Sequence, residues 1–263
     1  MYSPNKITNE RHALSNDKRT AKALGILKDA ESIELKLTVL DDERDLAVVQ
    51  LDLDVLHAEL RQVIFFDTPD LRLHRAGLIV RARRTRKGGD SVIKLRPIVP
   101  RELPRRLRRS DRFLIEIDAM PGAYVCSGSL HESVDNDDVK AVIRGTRPIR
   151  KLFSAEQRTF FSEHAPRGLD LDALTPFGPI NIAKTKFELG AGGRTMKAEL
   201  WFYPDGSRIL ELSVKCPPEK AFQRAAEARA DLTRLGITLT GEQQTKTRKA
   251  LQYFADQPAH RAA

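Results

Sequence analysis

Polar and apolar positions alternate along most of this chain. In the stretch Glu31-Ser32-Ile33-Glu34-Leu35-Lys36, a strand puts Ser32, Glu34 and Lys36 on one face and Ile33, Leu35 and Leu37 on the other. The pattern returns at Glu211-Leu212-Ser213-Val214-Lys215, where Glu211, Ser213 and Lys215 share a face. Both polar faces carry an acid and a base instead of small uncharged groups. A polar face of this kind suits a wet, charged interior as well as bulk solvent.

Further strands are predicted over 63–66, 78–84, 91–96, 112–118, 153–161, 180–189, 197–203 and 207–215. Thr68 is a candidate helix cap with Pro69 at the first helical position. Gly88-Gly89-Asp90 and Pro204-Asp205-Gly206 are hairpin signals. Residues 128–146 are mixed and read as helical. Residues 217–235 carry Ala221, Phe222, Ala225, Ala228, Leu232 and Leu235 at helical spacing, and Gly241 precedes a last helix through Leu251 and Phe254. The sum is an antiparallel sheet with helices packed outside. No linker interrupts 30–256, which reads as one domain. It lies between a polar extension over 1–29 and a short tail over 257–263.

Charge sharpens this picture. The chain has 263 residues and a formal net charge of +9. Residues 81–112 alone hold thirteen Lys and Arg against three Asp and Glu, so the remainder is close to neutral. A concentrated basic zone implies an anionic partner such as phosphate groups, nucleic acid or acidic lipid. The arginine-rich 101–109 stretch could equally be a solvated loop. Nucleic acid is the less favoured partner, because aromatic residues do not interleave with the basic run. No apolar run of about 18 residues predicts a membrane span, and the first 20 residues lack the apolar core of a secretory signal. The two cysteines, Cys126 and Cys216, are far apart and lack metal-ligand spacing. A cytoplasmic location is the expectation.

The strand faces offer Lys36, Arg81, Arg83, Lys94, Arg158, Lys186 and Lys215 as cations, and Glu34, Glu116, Asp118 and Glu211 as carboxylates. If the sheet closes, these groups point into a filled interior that suits a chain of phosphates. Arg and Lys would orient phosphoryl oxygens, and carboxylates with phosphate oxygens could hold Mg²⁺ or Mn²⁺. On an open sheet the same residues would be exposed ion pairs. His74, His131 and His164 fit no nucleophile or metal pattern and read as surface residues. Trp201 and Phe202 read as packing residues.

Taken together, these segments resemble the CYTH domain proteins, or triphosphate tunnel metalloenzymes. Ser32-Ile33-Glu34-Leu35-Lys36 is similar to their opening Glu-x-Glu-x-Lys strand. FFDTPDLRLHRAGLIVRARR (65–84) resembles a Tyr-Phe-Asp-Thr segment leading into Leu-Arg-x-Arg. VIKLRP (92–97), RFLIEID (112–118), EQRTFF (156–161), DGSRILELSVK (205–215) and QQTKTRKAL (243–251) resemble later family segments. The resemblance spans roughly 31–255.

It implies an α+β fold: a closed eight-stranded antiparallel β-barrel forming a triphosphate tunnel, with helices outside. It implies a hydrolase that cleaves the terminal phosphoryl bond of a triphosphate or polyphosphate with Mg²⁺ or Mn²⁺, or a class IV-type adenylate cyclase. Lys36, Arg81, Arg83, Lys94, Arg158, Lys186 and Lys215 would bind phosphates. Glu34, Glu116, Asp118 and Glu211 would hold the metal, with Glu34 and Lys36 at the reacting centre.

The chain departs from the pattern at Ser32 and Ser213, where glutamates are common, and at Val92, where threonine is common. Serine cannot supply a carboxylate's charge to a dication. A weakly active or inactive tunnel that only binds polyphosphate is therefore an alternative. Glu31, Glu116, Asp118, Glu188 or Glu199 could compensate, although alternation sets Glu31 opposite Glu34.

Overall fold

The structure is a computed structural model. It describes residues 30–121, 123–190, 192–237 and 246–257. The expected 1–29 extension, Gly241, residues 243–245 of the C-terminal motif and most of the tail lie outside the described residues.

Nine strands close into a barrel: β1 (Ser32–Val39), β2 (Glu59–Asp67), β3 (Leu78–Thr85), β4 (Gly88–Leu95), β5 (Phe113–Met120), β6 (Ala123–Val134), β7 (Thr175–Leu189), β8 (Arg194–Phe202) and β9 (Arg208–Cys216). Their order around the barrel is β1-β5-β6-β4-β3-β2-β7-β8-β9, and β9 pairs back onto β1. This corrects the expected eight-stranded antiparallel barrel: β1 and β5 run parallel, with Ser32 opposite Glu116 and Glu34 opposite Asp118. Strand β6 is the one the strand reading missed: residues 128–134, expected to be helical with the rest of 128–146, belong to it, and the helix there is confined to Asn136–Ile143. The centre of β6, Ser127-Gly128-Ser129, lacks the β-branched and aromatic residues that mark strands. Tertiary packing demands the glycine, because the Phe113 ring sits where a Gly128 Cβ would be.

Three other local expectations change. The β3–β4 hairpin turns at Arg86-Lys87, and the two glycines already belong to β4. The helix after β2 is a single turn, Arg72–Arg75, with Leu71 at its cap. Thr68 Oγ1 accepts from Arg72 N–H at 2.9 Å, while the buried Asp67 carboxylate accepts from the N–H groups of Thr68, Leu73 and His74. The 153–161 segment is not a strand. Ser154 caps a helix, Ala155–His164, through a capping box with Gln157. Ser-x-x-Gln is that motif's sequence signature. Gln157 is buried and binds Ser91 Oγ, Ser91 C=O and Leu130 C=O, fastening the helix to the outside of β4 and β6.

Alternation decides what lies inside and outside. The outer faces of β2–β6 pack Ile64, Val80, Ile93 and Leu130 against Leu73, Val139 and Phe160 of the surrounding helices. The outer faces of β1 and β7–β9 pack Leu37, Ala198, Leu210 and Leu212 with Leu51, Leu53 and Leu232. A third cluster lies within one end of the barrel. Val63, Phe65, Ile79, Ile182, Trp201 and Ile209 pack with Ala250, Leu251 and Phe254 of the helix Lys246–Ala255, which closes that end. Trp201 is thus a packing residue as expected, stacked on Phe65 at 6.5 Å. Among the described residues no helix is long and apolar enough to cross a membrane.

Candidate functional site

Above this apolar layer the interior is ionic, and the strand registers say why. Lys36 lies opposite Ser213, and Glu34 lies between Lys215 and Asp118. Lys94 pairs across from Ile79 and Ser129, and Arg81 from Phe65 and Val92. Glu199 sits between Lys184 and Glu211. Each strand contributes every second residue, so nine strands bring many charges to one lumen.

The deepest cluster centres on Asp118, which is 4% exposed. Its carboxylate forms an ion pair with Lys36 at 2.8 Å and accepts from Lys94 at 3.0 Å. Lys36 also reaches Glu34 at 3.0 Å, and Ser213 Oγ donates to Glu34 at 3.3 Å. Burial alone would raise the Asp118 and Glu34 pKa values, but the lysines outweigh it, and both carboxyls are held below their ordinary values. Burial opposes the charge on Lys36, yet Asp118, Glu211 and Glu34 together raise its pKa. Lys94 shifts the other way, because burial and the neighbouring Lys36 outweigh Asp118.

A second cluster is built by a residue absent from the sequence-derived set. Lys246 enters from the C-terminal helix, forms ion pairs with Glu199 and with Glu211 at 2.7 Å, and lies 5.2 Å from the centre of the Trp201 ring. Glu211 and Glu199 raise its pKa against the opposing effect of burial. Lys184 lies 3.9 Å from Glu199.

The third cluster is guanidinium-rich. Arg83 forms a bidentate ion pair with Asp90. Arg61 pairs with Glu59 at 2.6 Å. Arg81 differs from both in its pairing: its Nε, like that of Arg61, is buried without a hydrogen-bond partner, and no ion pair joins it to a described residue. Burial, reinforced by Arg83, lowers its pKa to about 10, so it remains a cation at neutral pH.

The predicted residues therefore divide. Glu34, Lys36, Arg81, Arg83, Lys94, Glu116, Asp118, Glu211, Lys186 and Lys215 all lie on the lumenal face. Lys186 is exposed opposite Lys197, and Lys215 is exposed and paired with Glu116 at 2.5 Å, which puts both toward the mouth. Arg158 does not belong. It is exposed on the outer helix and donates to the Phe153 carbonyl at 2.6 Å. The histidines are half-buried instead of surface residues, and His131 contacts Ser129 Oγ at 3.0 Å inside the barrel. The 101–112 run is no free loop: Leu103 and Leu107 anchor it in the core, and Arg106 pairs with Glu163. Sequence reasoning missed Lys246, Arg61, Lys184 and Asp90. Alternation could have found Arg61, which shares parity with Val63 and Phe65. No periodicity shows that Lys246 turns inward.

The carboxylates do not fit a divalent cation as arranged. Among the described residues no three Asp, Glu, His or Cys side chains converge as ligands. Asp118, Glu34, Glu211 and Glu116 each already contact an ammonium group. With Ser32 and Ser213 uncharged, lysines satisfy the acids that would otherwise draw in a dication.

No protein-family model matches the chain, and no curated protein matches it. Solved structures do. A candidate adenylate cyclase from Bacillus halodurans superposes with a TM-score of 0.57 at 12% identity, covering 83% of this chain and 97% of that one. A candidate adenylyl cyclase from Hippeastrum, described as having a dominant triphosphatase activity, gives 0.58 at 14% identity, covering 84% and 96%. At such identity the likeness shows the fold. The chain shares the closed barrel with outer helices of these proteins, the fold that its resemblance to the CYTH domain proteins implied.

Proposed function

We propose that the barrel binds a triphosphate or polyphosphate chain in its lumen. The observation that carries this is Arg81, a half-buried arginine whose Nε is buried without a hydrogen-bond partner, with no ion pair to a described residue and with Arg83 beside it. A desolvated cation without an ion pair is costly. A phosphoryl group would supply the missing charge and accept the guanidinium fork. Arg83, Arg61, Lys184 and Lys94 lie on the same lumenal surface to bind neighbouring phosphates, with Lys186 and Lys215 toward the mouth. Lys36 and Lys246 neutralise the carboxylates, so an anion would not meet a field of uncompensated acid.

A second reading is hydrolysis of the terminal phosphoryl bond with Mg²⁺ or Mn²⁺, or cyclisation of ATP. It is favoured by the described activities of the two structural relatives. The lysine-held carboxylates weigh against it.

Calorimetry with tripolyphosphate and with ATP, with and without a chelator, tests the binding reading. Tripolyphosphate should bind in chelator, more weakly as salt rises. The Arg81→Met variant should lose about tenfold or more, since a hydrogen bond to a charged group contributes about 1.5–3 kcal/mol. Absence of binding, or binding abolished by chelator, would overturn it. Release of phosphate or formation of cyclic nucleotide only with Mg²⁺ or Mn²⁺ would favour the second reading.

A further inference from the structure

Away from the lumen lies a second concavity, independent of the proposed anion site. A cavity of about 980 Å³ separates the outer wall of the barrel from the helix Ala221–Arg234. One wall is the outer face of β1, with Ile33, Leu35 and Leu37. The facing helix turns Ala225 and Ala228 toward it, side chains too short to reach across. At the rim, Phe222 is 76% exposed and Tyr124 49% exposed. Protein interiors are close-packed, and an apolar concavity of this size marks a surface that something covers.

We propose that residues 20–29 of this chain are that cover. They join the described structure at Ala30, which is buried in the same core cluster as Ile33 and Ala221, two residues that line the cavity. The covering segment is therefore tethered at the cavity's edge. Its sequence, Thr-Ala-Lys-Ala-Leu-Gly-Ile-Leu-Lys-Asp, concentrates Ala21, Ala23, Leu24, Ile26 and Leu27 in an otherwise polar N-terminal stretch. Leu24 and Leu27 share a face at helical spacing. Ten residues reach about 15 Å even at the short rise of a helix, and the strand from Ile33 to Leu37 spans about 13 Å. The segment is long enough to fold back along the strand that follows it.

Photo-crosslinking of the full chain tests this. A benzophenone amino acid replaces the exposed Phe222, and unlabelled protein is mixed with ¹⁵N-labelled protein before irradiation. The expected product joins position 222 to residues 20–29 within chains of one isotope, and Leu24→Asp with Leu27→Asp should remove it. Crosslinks between light and heavy chains would identify a second copy as the occupant and overturn the proposal. So would the absence of any crosslink into 1–29, or an undiminished yield in the double variant.

Discussion

Asp118 shows how individual residues share the lumen. It is nearly inaccessible, yet ionised, because Lys36 and Lys94 both form ion pairs with it. Its pKa is depressed in the folded state, despite burial, by those two amines. Such a carboxylate stabilises the fold at pH above its unfolded value of about 4, and the contribution is lost as pH falls through the lower folded value. Asp118→Asn leaves two buried ammonium groups short of charge. It should cost about 3–5 kcal/mol at pH 7, with the gap from the unchanged protein narrowing below about pH 4. Urea unfolding at pH 7 and pH 3 measures this. An equal gap at both values would show that the loss comes from packing and not from charge. Alternation alone placed Glu34 with Lys36, and Asp118 with Glu116, on charged strand faces. The pairing of Asp118 with Lys94, 24 residues away, depends on where β4 and β5 lie around the barrel.

At the scale of elements, the helix Ala155–His164 is the instructive case. The segment 153–161 has enough aromatic and apolar residues to pass for a strand. Local chemistry outweighs that composition: Ser154 and Gln157 satisfy the first free N–H groups of a helix. Gln157 then finds three buried partners on the barrel wall. Arg158 consequently points away from the lumen. Arg158→Ala should leave tripolyphosphate affinity unchanged to within about twofold, whereas Ser154→Ala should lower stability by about 1 kcal/mol through loss of the cap. Calorimetry and thermal unfolding separate the two effects. A large affinity loss in Arg158→Ala would return this arginine to the site. The Lys246–Ala255 helix makes the complementary point. Its apolar positions announced a helix, but only its seat in the barrel end turns Lys246 toward Glu199 and Glu211.

For the whole molecule, the departures at Ser32 and Ser213 acquire a structural meaning. Ser32 is opposite Glu116, and Ser213 is opposite Lys36. Two more carboxylates here would surround Lys36 with acid and favour displacement of its ammonium by a dication. The double variant Ser32→Glu with Ser213→Glu should bind Mn²⁺ about tenfold or more tightly than the unchanged protein, a gain of about 1.4 kcal/mol or above. Titration followed by the free-ion resonance signal measures it. No gain would mean that these positions do not face a potential metal site. The sequence by itself determined which face of each strand is charged, because alternation is a property of consecutive residues. It also determined the β8–β9 hairpin at Pro204-Asp205-Gly206, where turn chemistry is local. Tertiary structure alone decided the ninth strand, the parallel β1–β5 pair and the entry of Lys246. Those depend on which distant segments become neighbours, and on the gain from closing a barrel that no short stretch of sequence encodes.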